Sequence, residues 1–380
     1  MENTAMNAYW EFKNNHEHQE PTKEELSKLV KQKLELDKPQ DKNYNLFEFF
    51  ELRKEEERKR IQSLGKKVDN KTQTYSYQQT QKKLEDYAKY KNKHLDFDSI
   101  DLDFYYDFVE YLEKVEKFSI NNIGKHIKNL KAILNEVTER GINSNMAYKS
   151  KKFKVLREEV PNVYLNEEEL KDLYELDFNS KKLKEKGLKK KHERARDLFL
   201  VGCYTGLRFS DLTNIKSNNF QMIEDQDERF EALVITMQKT GKRIPIPVHP
   251  IVKEIREKYK NVTENSLPPK ISNQKLNEYL KDICQEVESL KKKEEAIVTR
   301  EGQKVSKMVP KHDLITTHTA RKSFATNMYH RGLGTVTIMN ITGHTTESAF
   351  LKYIKATPTD HAGAIYRNWQ KEGEHLRKVE

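Results

Sequence analysis

One stretch of the chain repeats apolar residues at the spacing of an α-helix, and this repeat constrains the fold more than any other feature. Between Ser119 and Gly141, apolar residues recur at steps of three and four: Ile120, Ile123, Ile127, Leu130, Leu134 and Val137. Such a stripe covers one face of a helix, Ser is a favourable N-cap, and Gly often follows a helix end. The sequence therefore predicts a long amphipathic helix that must bury this stripe against other elements.

Three earlier segments have a similar helical character and are candidate partners for this helix. They are LFEFFEL (46–52), YSYQQTQKKLEDYAKY (75–90) and LDFYYDFVEYL (102–112). The sequence predicts a helical bundle over 43–142. A polar segment, 1–42, precedes it and holds one short helix after a capping box of Thr22 and Glu25. The many tyrosines of the bundle would suit either a DNA backbone or the core of the bundle.

Residues 143–163 lack strong periodicity and hold several Lys and a Pro, which indicates an interdomain linker. The second domain is expected at 164–380, where Asn166 and Glu169 form another capping box. RFEALVITMQK and KRIPIPV carry β-branched or alternating residues around a TGK turn, which predicts a β-hairpin. Beyond the hairpin the chain is expected to be mainly helical. The predicted fold class is mainly α with a small β-hairpin or sheet, a helical domain followed by a mixed α/β domain.

The charge balance points to a polyanionic partner. Lys and Arg number 70 against 60 Asp and Glu, a formal net charge of +10 with a pI near 9.1. Such a chain attracts nucleic acid, although a Lys-rich protein that is merely soluble has the same composition.

Cysteine use and hydropathy indicate the compartment. Only two cysteines occur, Cys203 and Cys284, which is too few for a disulfide framework and fits a reducing compartment. The N-terminal residues contain no apolar core of a secretory signal. The longest apolar run, LFLVGCY (198–204), is far too short to span a bilayer. The sequence predicts a cytoplasmic protein with no membrane partner.

Four motifs in the second domain supply polar groups that can act together: TGLRFSDL, QKTGKR, HTAR and ITGHTTESAFLKYI. The first places an Arg just after a predicted helix end, and the second places a Lys at the hairpin turn. In the third, a His and an Arg lie one helical turn apart. In the fourth, a Tyr comes nine residues after a His. The six residues are Arg208, Lys239, His318, Arg321, His344 and Tyr353.

Each of the six has an ordinary explanation when it is taken alone. An Arg after a helix end is usually a surface ion pair, and a Lys in a hairpin turn is usually solvated. A lone HxxR motif usually arises by chance, and a Tyr at helical spacing usually packs in a core. Taken together, however, the six residues match what the cleavage of a phosphodiester without a metal requires.

The chemistry of that cleavage needs each residue type. Two guanidiniums hold the non-bridging oxygens of a phosphate while charge grows there. A phenol, with an ordinary pKa of about 10, needs nearby positive charge and a neutral His that accepts its proton. A Lys ammonium protonates the leaving 5′-oxygen. The sequence shows no carboxylate spacing of the two-metal nucleases, so we expect neither a metal nor a cofactor.

In order and spacing, these residues resemble the signature of the tyrosine recombinases, also called the phage integrase family. The stretch LITTHTARKSFATNMY is similar to integrases of Bacteroides-type conjugative and mobilisable transposons. The resemblance implies a core-binding, SAM-like DNA-binding domain at 43–142 and the catalytic domain at 164–380. It also implies a site-specific recombinase that cuts and rejoins double-stranded DNA through a 3′-phosphotyrosyl intermediate, for integration or excision of a mobile element.

The resemblance further implies a role for each residue. The two arginines would bind the scissile phosphate, and Tyr353 would be the nucleophile. Lys239 would be the general acid for the 5′-hydroxyl, His318 an acid/base, and His344 a hydrogen-bond partner of the phosphate. One departure from the family pattern lies just before the Gly-His pair, where the usual Leu is Thr342.

For assembly, the resemblance implies a homotetramer on DNA that exchanges C-terminal tails, with accessory DNA-bending proteins as further partners. The tail carries Ala364, Ile365 and Trp369 on a predicted helix, which can dock on a neighbouring protomer or pack on its own domain. Two other functions stay open at this point. One is a DNA-relaxing, topoisomerase-like enzyme with the same chemistry, and the other is a non-catalytic DNA-binding protein on the same fold.

Overall fold

The chain divides into two compact units, residues 1–158 with 299–303 and residues 159–298 with 304–380. The computed structural model describes 20–36, 44–63, 65, 73–158, 162–300 and 303–354, with isolated positions nearer both ends. The predicted tail positions Ala364 and Ile365 lie outside the described residues, whereas Trp369 is one of the isolated positions. In the described part of the chain, no helix combines the length and the apolar character that crossing a bilayer requires.

Between residues 20 and 158, the described residues of the first unit form helices and turns and no strand. Its α-helices are α1 (Lys23–Leu36), α2 (Leu46–Ser63), α3 (Gln73–Lys91), α4 (Leu102–Glu110) and α5 (Ile120–Glu139). A π-helical turn, Tyr111–Val115, continues α4, and short 3₁₀ turns occupy Phe97–Ser99 and Ala147–Lys149. The capping box that the sequence predicts before α1 is present, because the Thr22 and Glu25 side chains each accept the backbone N–H of the other residue.

The core of the first unit is built on the apolar stripe of α5. The stripe residues Ile123, Ile127 and Leu130 are fully buried. Aromatic side chains from α3 and α4 belong to the same core as this stripe. The ring centroids of Tyr87 and Phe108 are 5.3 Å apart in an edge-to-face contact. Tyrosines at 77, 87, 105 and 111 are buried there, which favours core packing over DNA contact for these four.

Residues beyond the predicted bundle end also pack in the first unit. Tyr148 and Phe153, within the segment 143–158, are buried in its core. Lys131 of α5 donates from Nζ to the backbone carbonyls of both residues, at 2.6 and 2.8 Å. The folded part of this unit therefore extends past residue 142.

The second unit has nine α-helices and five strands in its described residues. The helices are α6 (Glu167–Tyr174), α7 (Lys181–Glu185), α8 (Lys190–Thr205), α9 (Phe209–Leu212), α10 (Pro250–Tyr259), α11 (Asn273–Cys284), α12 (Thr317–His330), α13 (Thr335–Thr342) and α14 (Glu347–Leu351). The strands are β1 (Phe220–Asp225), β2 (Glu228–Thr236), β3 (Arg243–Pro247), β4 (Lys293–Arg300) and β5 (Gln303–Pro310). Short 3₁₀ turns lie at Ser217–Asn219, Glu288–Lys291 and Lys311–Leu314.

The strands form two antiparallel sheets, in the orders β1–β2–β3 and β4–β5. The predicted hairpin is β2–β3, in which Ile235 pairs with Ile244 and both side chains are buried. Beyond the hairpin the chain is mainly helical, as expected, and it also contains the strands β4 and β5, which the sequence did not predict. A fold that is mainly α with small sheets, as the sequence predicts, is confirmed.

Helix α8 is the central element of the second unit. It is buried along its whole second half, and α10, α11 and α12 pack around it. The predicted capping box before α6 is present as well, with Asn166 and Glu169 exchanging hydrogen bonds of 2.8 Å. Because α8 and α12 are in contact, the residues at the end of α8 meet the first turn of α12, and this junction positions the candidate site.

Candidate active site

The site begins where α8 ends. Gly206 follows α8 with a φ of 65°, a left-handed conformation that glycine adopts without strain. A Cβ at this position would lie 2.4 Å from the ring of Phe324 on α12, so only glycine allows the two helices to approach this closely. The turn directs the chain into Arg208, which is the N-cap of α9.

Arg321 lies across this turn on α12 and is 1% exposed. Its Nη1 donates to the Gly206 carbonyl at 2.7 Å, and its Nη2 donates to the carbonyl of Thr342 at the end of α13. Its Nε is buried and has no hydrogen-bond partner among the residues that the structure describes. Burial and the neighbouring charge of Arg208 lower the pKa of Arg321 to about 10, which leaves the guanidinium charged at neutral pH.

Arg208 lies beside Arg321. Its Nη2 donates to the carbonyl of Gly343 at 3.2 Å, which is the carbonyl next to the one that Arg321 uses. Its Nη1 contacts Met237 Sδ at 3.7 Å. Neither arginine forms an ion pair with a carboxylate among the described residues. The two adjacent guanidiniums bind backbone carbonyls and a thioether, and Arg321 also interacts with the Tyr353 side chain. With no carboxylate partner among the described residues, their positive charge stays available to an anion.

The turn between β2 and β3 carries Lys239. The backbone closes it by hydrogen bonds from Met237 N to Lys242 O at 2.9 Å and from Gly241 N to Met237 O at 2.8 Å. The Lys239 side chain is exposed and forms no hydrogen bond or ion pair with any described residue. Met237, the residue at the start of this turn, also contacts Arg208, so the start of the turn lies next to the two arginines.

Two contacts fix this turn in place, and one of them uses a residue that the sequence motifs did not single out. Asp211, on α9, is 1% exposed, and its Oδ1 accepts the backbone N–H of Gln238 at 3.0 Å. On the other side, Lys242 Nζ donates to Asn340 Oδ1 at 2.6 Å. Asp211 comes three residues after Arg208 in the same motif. An acidic side chain in a short segment that follows a buried helix needs a hydrogen-bond partner, and this requirement could have indicated its role.

Two histidines face the arginines and are held neutral. His318 lies in the first turn of α12 and keeps an exposed edge. Burial, with the charges of Lys322, Arg321 and Arg208, lowers its pKa to about 4. His344 follows α13 and is half-buried. Burial, with the charges of both arginines, His318 and Lys239, lowers its pKa to about 4. A neutral imidazole can accept a proton, which an imidazolium cannot.

Tyr353 completes the cluster just after α14. Its ring centroid is 4.5 Å from that of His344 and 5.2 Å from that of His318, with both rings edge-on. Its backbone is fixed by bonds from Tyr353 N to Phe350 O at 2.7 Å and from Thr326 Oγ1 to Tyr353 O at 3.2 Å.

The structure thus brings five of the six predicted residues together: Arg208, Arg321, His318, His344 and Tyr353. Lys239 stands at the edge of the cluster, where its charge still acts on His344. Among the described residues, no three His, Cys, Asp or Glu side chains are grouped in a way that could hold a metal ion.

Comparison with known proteins identifies the family. The model of the phage integrase family matches residues 164–359, and that of the phage integrase SAM-like domain matches residues 45–155. The chain belongs to the phage integrase family. The predictions of a tyrosine recombinase and of an enzyme are thereby confirmed, whereas the finer resemblance to Bacteroides-type elements stays a prediction.

Solved structures share the fold of this phage integrase family member. The Tn1549 transposon integrase in complex with circular intermediate DNA is 15% identical, with a TM-score of 0.54 over 85% of this chain and 99% of that chain. A lambda integrase dimer bound to a core site is 15% identical, with a TM-score of 0.53 over 80% and 97%. No curated protein matches the sequence.

Proposed function

We propose that this phage integrase family member cuts and rejoins double-stranded DNA with Tyr353 as the nucleophile, in the integration or excision of a mobile element. One observation carries the assignment. The Tyr353 ring lies against two neutral imidazoles, at 4.5 and 5.2 Å between ring centroids, beside two guanidiniums that have no carboxylate partner among the described residues. A nucleophile, proton acceptors and an anion site therefore meet at one place.

Arg208 and Arg321 bind the scissile phosphate in this proposal. Within the described part of the chain, the Nε of the buried Arg321 has no hydrogen-bond partner, and both guanidiniums retain further N–H donors beyond those given to backbone carbonyls. A phosphate supplies the acceptors and the negative charge that the buried Arg321 and the half-buried Arg208 lack. Charge that grows on the non-bridging oxygens in the transition state strengthens these bonds, which is how fixed cations accelerate the reaction.

The protons move between the side chains around the phosphate. One of the two imidazoles accepts the proton of the Tyr353 hydroxyl, and the phenolate oxygen forms the bond to phosphorus. The bond from phosphorus to the 5′-oxygen breaks, and Lys239 gives that oxygen a proton. The 3′-phosphotyrosyl bond preserves the phosphodiester energy, so the reverse sequence reseals a strand without a nucleotide triphosphate.

The C-terminal tail and an apolar surface support assembly on DNA as a homotetramer. Helices α13 and α14 expose apolar side chains, among them Val336 at 70% and Leu351 at 50%. Trp369 is also exposed, at 66%. Exposed apolar groups of this size are typical of docking surfaces, and we expect the tail of one protomer to cover this surface on the next. Both cysteines are free and buried, in accord with a cytoplasmic site of action.

A covalent-trapping experiment tests the proposal. The substrate is a duplex that carries the repeat flanking the gene, nicked so that a short strand diffuses away after cleavage and prevents resealing. We expect a protein–DNA adduct, in buffer with excess chelator, whose digestion maps the modified peptide to Tyr353. A chain that binds this duplex and never forms the adduct would be a non-catalytic binding protein. An adduct with relaxation of plasmids and no exchanged products would indicate the topoisomerase-like activity.

A further inference from the structure

Thr342 stands where the family usually has Leu, and its hydroxyl contacts the histidine of the site. The side chain is fully buried at the end of α13. Its Oγ1 lies 2.6 Å from the backbone carbonyl of Ile338 and 2.8 Å from Nδ1 of His344. A leucine makes neither contact, so this chain holds His344 with a hydrogen bond that the usual residue lacks.

The position of the hydroxyl proton follows from the two contacts. A carbonyl oxygen only accepts hydrogen bonds, so two oxygens 2.6 Å apart require the Thr342 proton between them. This is the bond from a helical threonine to the carbonyl four residues earlier. A hydroxyl has one proton, and that proton is used. The 2.8 Å contact with His344 must therefore take its proton from Nδ1, with Oγ1 as the acceptor.

We propose that Thr342 is a positioning residue that holds His344 in the Nδ1–H tautomer and so makes Nε2 a proton acceptor. The proposal rests on the proposed function only for its catalytic consequence, because the tautomer is a property of the free protein. It deepens that function by giving His344 two successive roles, first as a proton acceptor and then as a hydrogen-bond donor to the phosphate. Neutral His344 offers a lone pair at Nε2, and it cannot donate from that atom to a phosphate oxygen.

The consequence for the reaction is a two-stage role. The His344 ring is the nearer of the two to Tyr353, at 4.5 Å against 5.2 Å for His318. When the Tyr353 O–H bond breaks, a proton bonds to Nε2 and the ring becomes an imidazolium, still donating from Nδ1 to Thr342. Only then can Nε2–H donate to the phosphate, whose charge is growing as the phenolate attacks. Burial and the nearby cations, which lower the pKa of His344 to about 4, keep the ring neutral until that step.

Thr342 also couples this histidine to the phosphate-binding arginine. Its backbone carbonyl accepts from Arg321 Nη2, while its hydroxyl accepts from His344 Nδ1. The backbone contact is available to any residue at position 342, whereas the side-chain contact requires a hydroxyl. Replacing Thr342 by Val therefore separates the two effects, since valine has nearly the same shape and keeps the carbonyl.

The test reads the tautomer directly in the full chain. Two-bond proton–nitrogen NMR spectra of ¹⁵N-histidine-labelled protein distinguish Nδ1–H from Nε2–H, and the His344 signals are those missing from His344→Gln. We expect Nδ1–H in the wild type and in Thr342→Ser, and a shift toward Nε2–H in Thr342→Val. Thr205→Val is the matched control, because Thr205 is buried and its hydroxyl, among the described residues, bonds only to a carbonyl four residues earlier. It should leave the His344 signals unchanged.

Single-turnover cleavage of the nicked duplex supplies the second measurement. Loss of general base catalysis typically costs about 10²–10⁴-fold, and we expect Thr342→Val to lose at least about tenfold with unchanged DNA affinity. Thr342→Ser should restore most of the rate. An Nε2–H signal in the wild type, or an unchanged signal in a folded Thr342→Val, would overturn the proposal. A wild type with the Nδ1–H signal that never attaches to DNA would instead refute the proposed function alone.

Discussion

Arg321 Nη1 donates a hydrogen bond of 2.7 Å to the backbone carbonyl of Gly206, 115 residues earlier in the chain. This bond joins the two motifs that carry the arginines. It also fixes Arg321 before any DNA is bound, because the guanidinium is held at two carbonyls in a fully buried position. Groups that are already in place when the transition state forms stabilise it without a cost of reorganisation.

Tyr353→Phe should abolish the covalent adduct and leave DNA affinity within about threefold, because the change removes only the attacking hydroxyl. Gel electrophoresis under denaturing conditions measures the adduct, and filter binding measures affinity. Tyr366→Phe is the matched control, since Tyr366 is exposed and also lies after α14 in the chain. A persistent adduct in Tyr353→Phe would assign the nucleophile to another residue.

Lys239→Ala should cleave ordinary DNA about 10²–10⁴-fold more slowly, because the leaving alkoxide loses its proton donor. A thiol has a pKa near 8.5, so a sulfur leaves without that proton. DNA with a 5′-bridging sulfur should therefore be cleaved by the variant at nearly the wild-type rate. Lys242→Ala removes a bond to Asn340 that holds the same turn and keeps the proton donor, so it should slow cleavage much less than Lys239→Ala. Failure of the sulfur to restore cleavage would make Lys239 a phosphate or base contact.

Asp211→Ala should slow cleavage by roughly tenfold or more, because the Lys239 turn loses the carboxylate that accepts the Gln238 N–H. Asp211→Asn keeps an oxygen acceptor and should be much less impaired. The informative readout is the sulfur substrate. If Asp211 acts by placing Lys239, sulfur should rescue Asp211→Ala as it rescues Lys239→Ala. Equal slowing on both substrates would mean that Asp211 acts on the arginines instead.

Removal of residues 358–380 should spare the binding of a single DNA site and weaken the pairing of two sites. The reason is that the tail residue Trp369 and the surface residue Val336 both expose apolar area that an exchanged tail would cover. Val336→Asp should reproduce the assembly defect in the full chain, whereas Val262→Asp, at another exposed position, should not. Native gels of the DNA complexes separate the two steps. Normal recombination by the shortened chain would show that the tail is dispensable.

Acid should destabilise the first unit through His126. Burial, with the charges of Lys125 and Lys83, lowers the pKa of His126 to about 4, against 6.5 in an unfolded chain. The unfolded state therefore binds the proton first, and the stabilisation is present in full above pH 6.5. It is lost as the pH falls toward 4, and it amounts to roughly 3 kcal/mol from a shift of this size.

Urea unfolding at several pH values measures this effect. His126→Gln should flatten the dependence of the unfolding free energy on pH between 6.5 and 4. His94→Gln, at an exposed position in the same unit, should keep the wild-type slope. An unchanged slope in His126→Gln would assign the acid sensitivity to another group.

The sequence predicts most of the fold where local signals are strong. The stripe of α5, the end of α8 at Gly206 and the β2–β3 hairpin all depend on residues close together in the chain, and all are confirmed. Strand β1 could not be predicted from the sequence, because its side chains are mostly exposed and show no alternation of apolar and polar residues. The strand forms because its backbone pairs with β2, and its own side chains give no sign of this pairing.

The site divides in the same way. Six polar residues could be chosen from their motifs, and the structure places five of them in one cluster, while their roles stay predictions. Asp211 was missed because its partner, the Gln238 N–H, is 27 residues away and belongs to a different element. The bond between Thr342 and His344 could not be predicted either, since it depends on which way a buried hydroxyl turns at the end of α13.

Gly206 and Gly343 carry no functional group, and yet both hold carbonyls that orient an arginine. Each has a left-handed backbone, and a Cβ would lie 2.4 Å from Phe324 in one case and from Met237 in the other. In a library of random variants, alanine at either position should inactivate the chain about as completely as loss of Tyr353, although every chemical group is still present. A map of the positions that tolerate no substitution would therefore include these two glycines, which shape the backbone, as well as the residues that react.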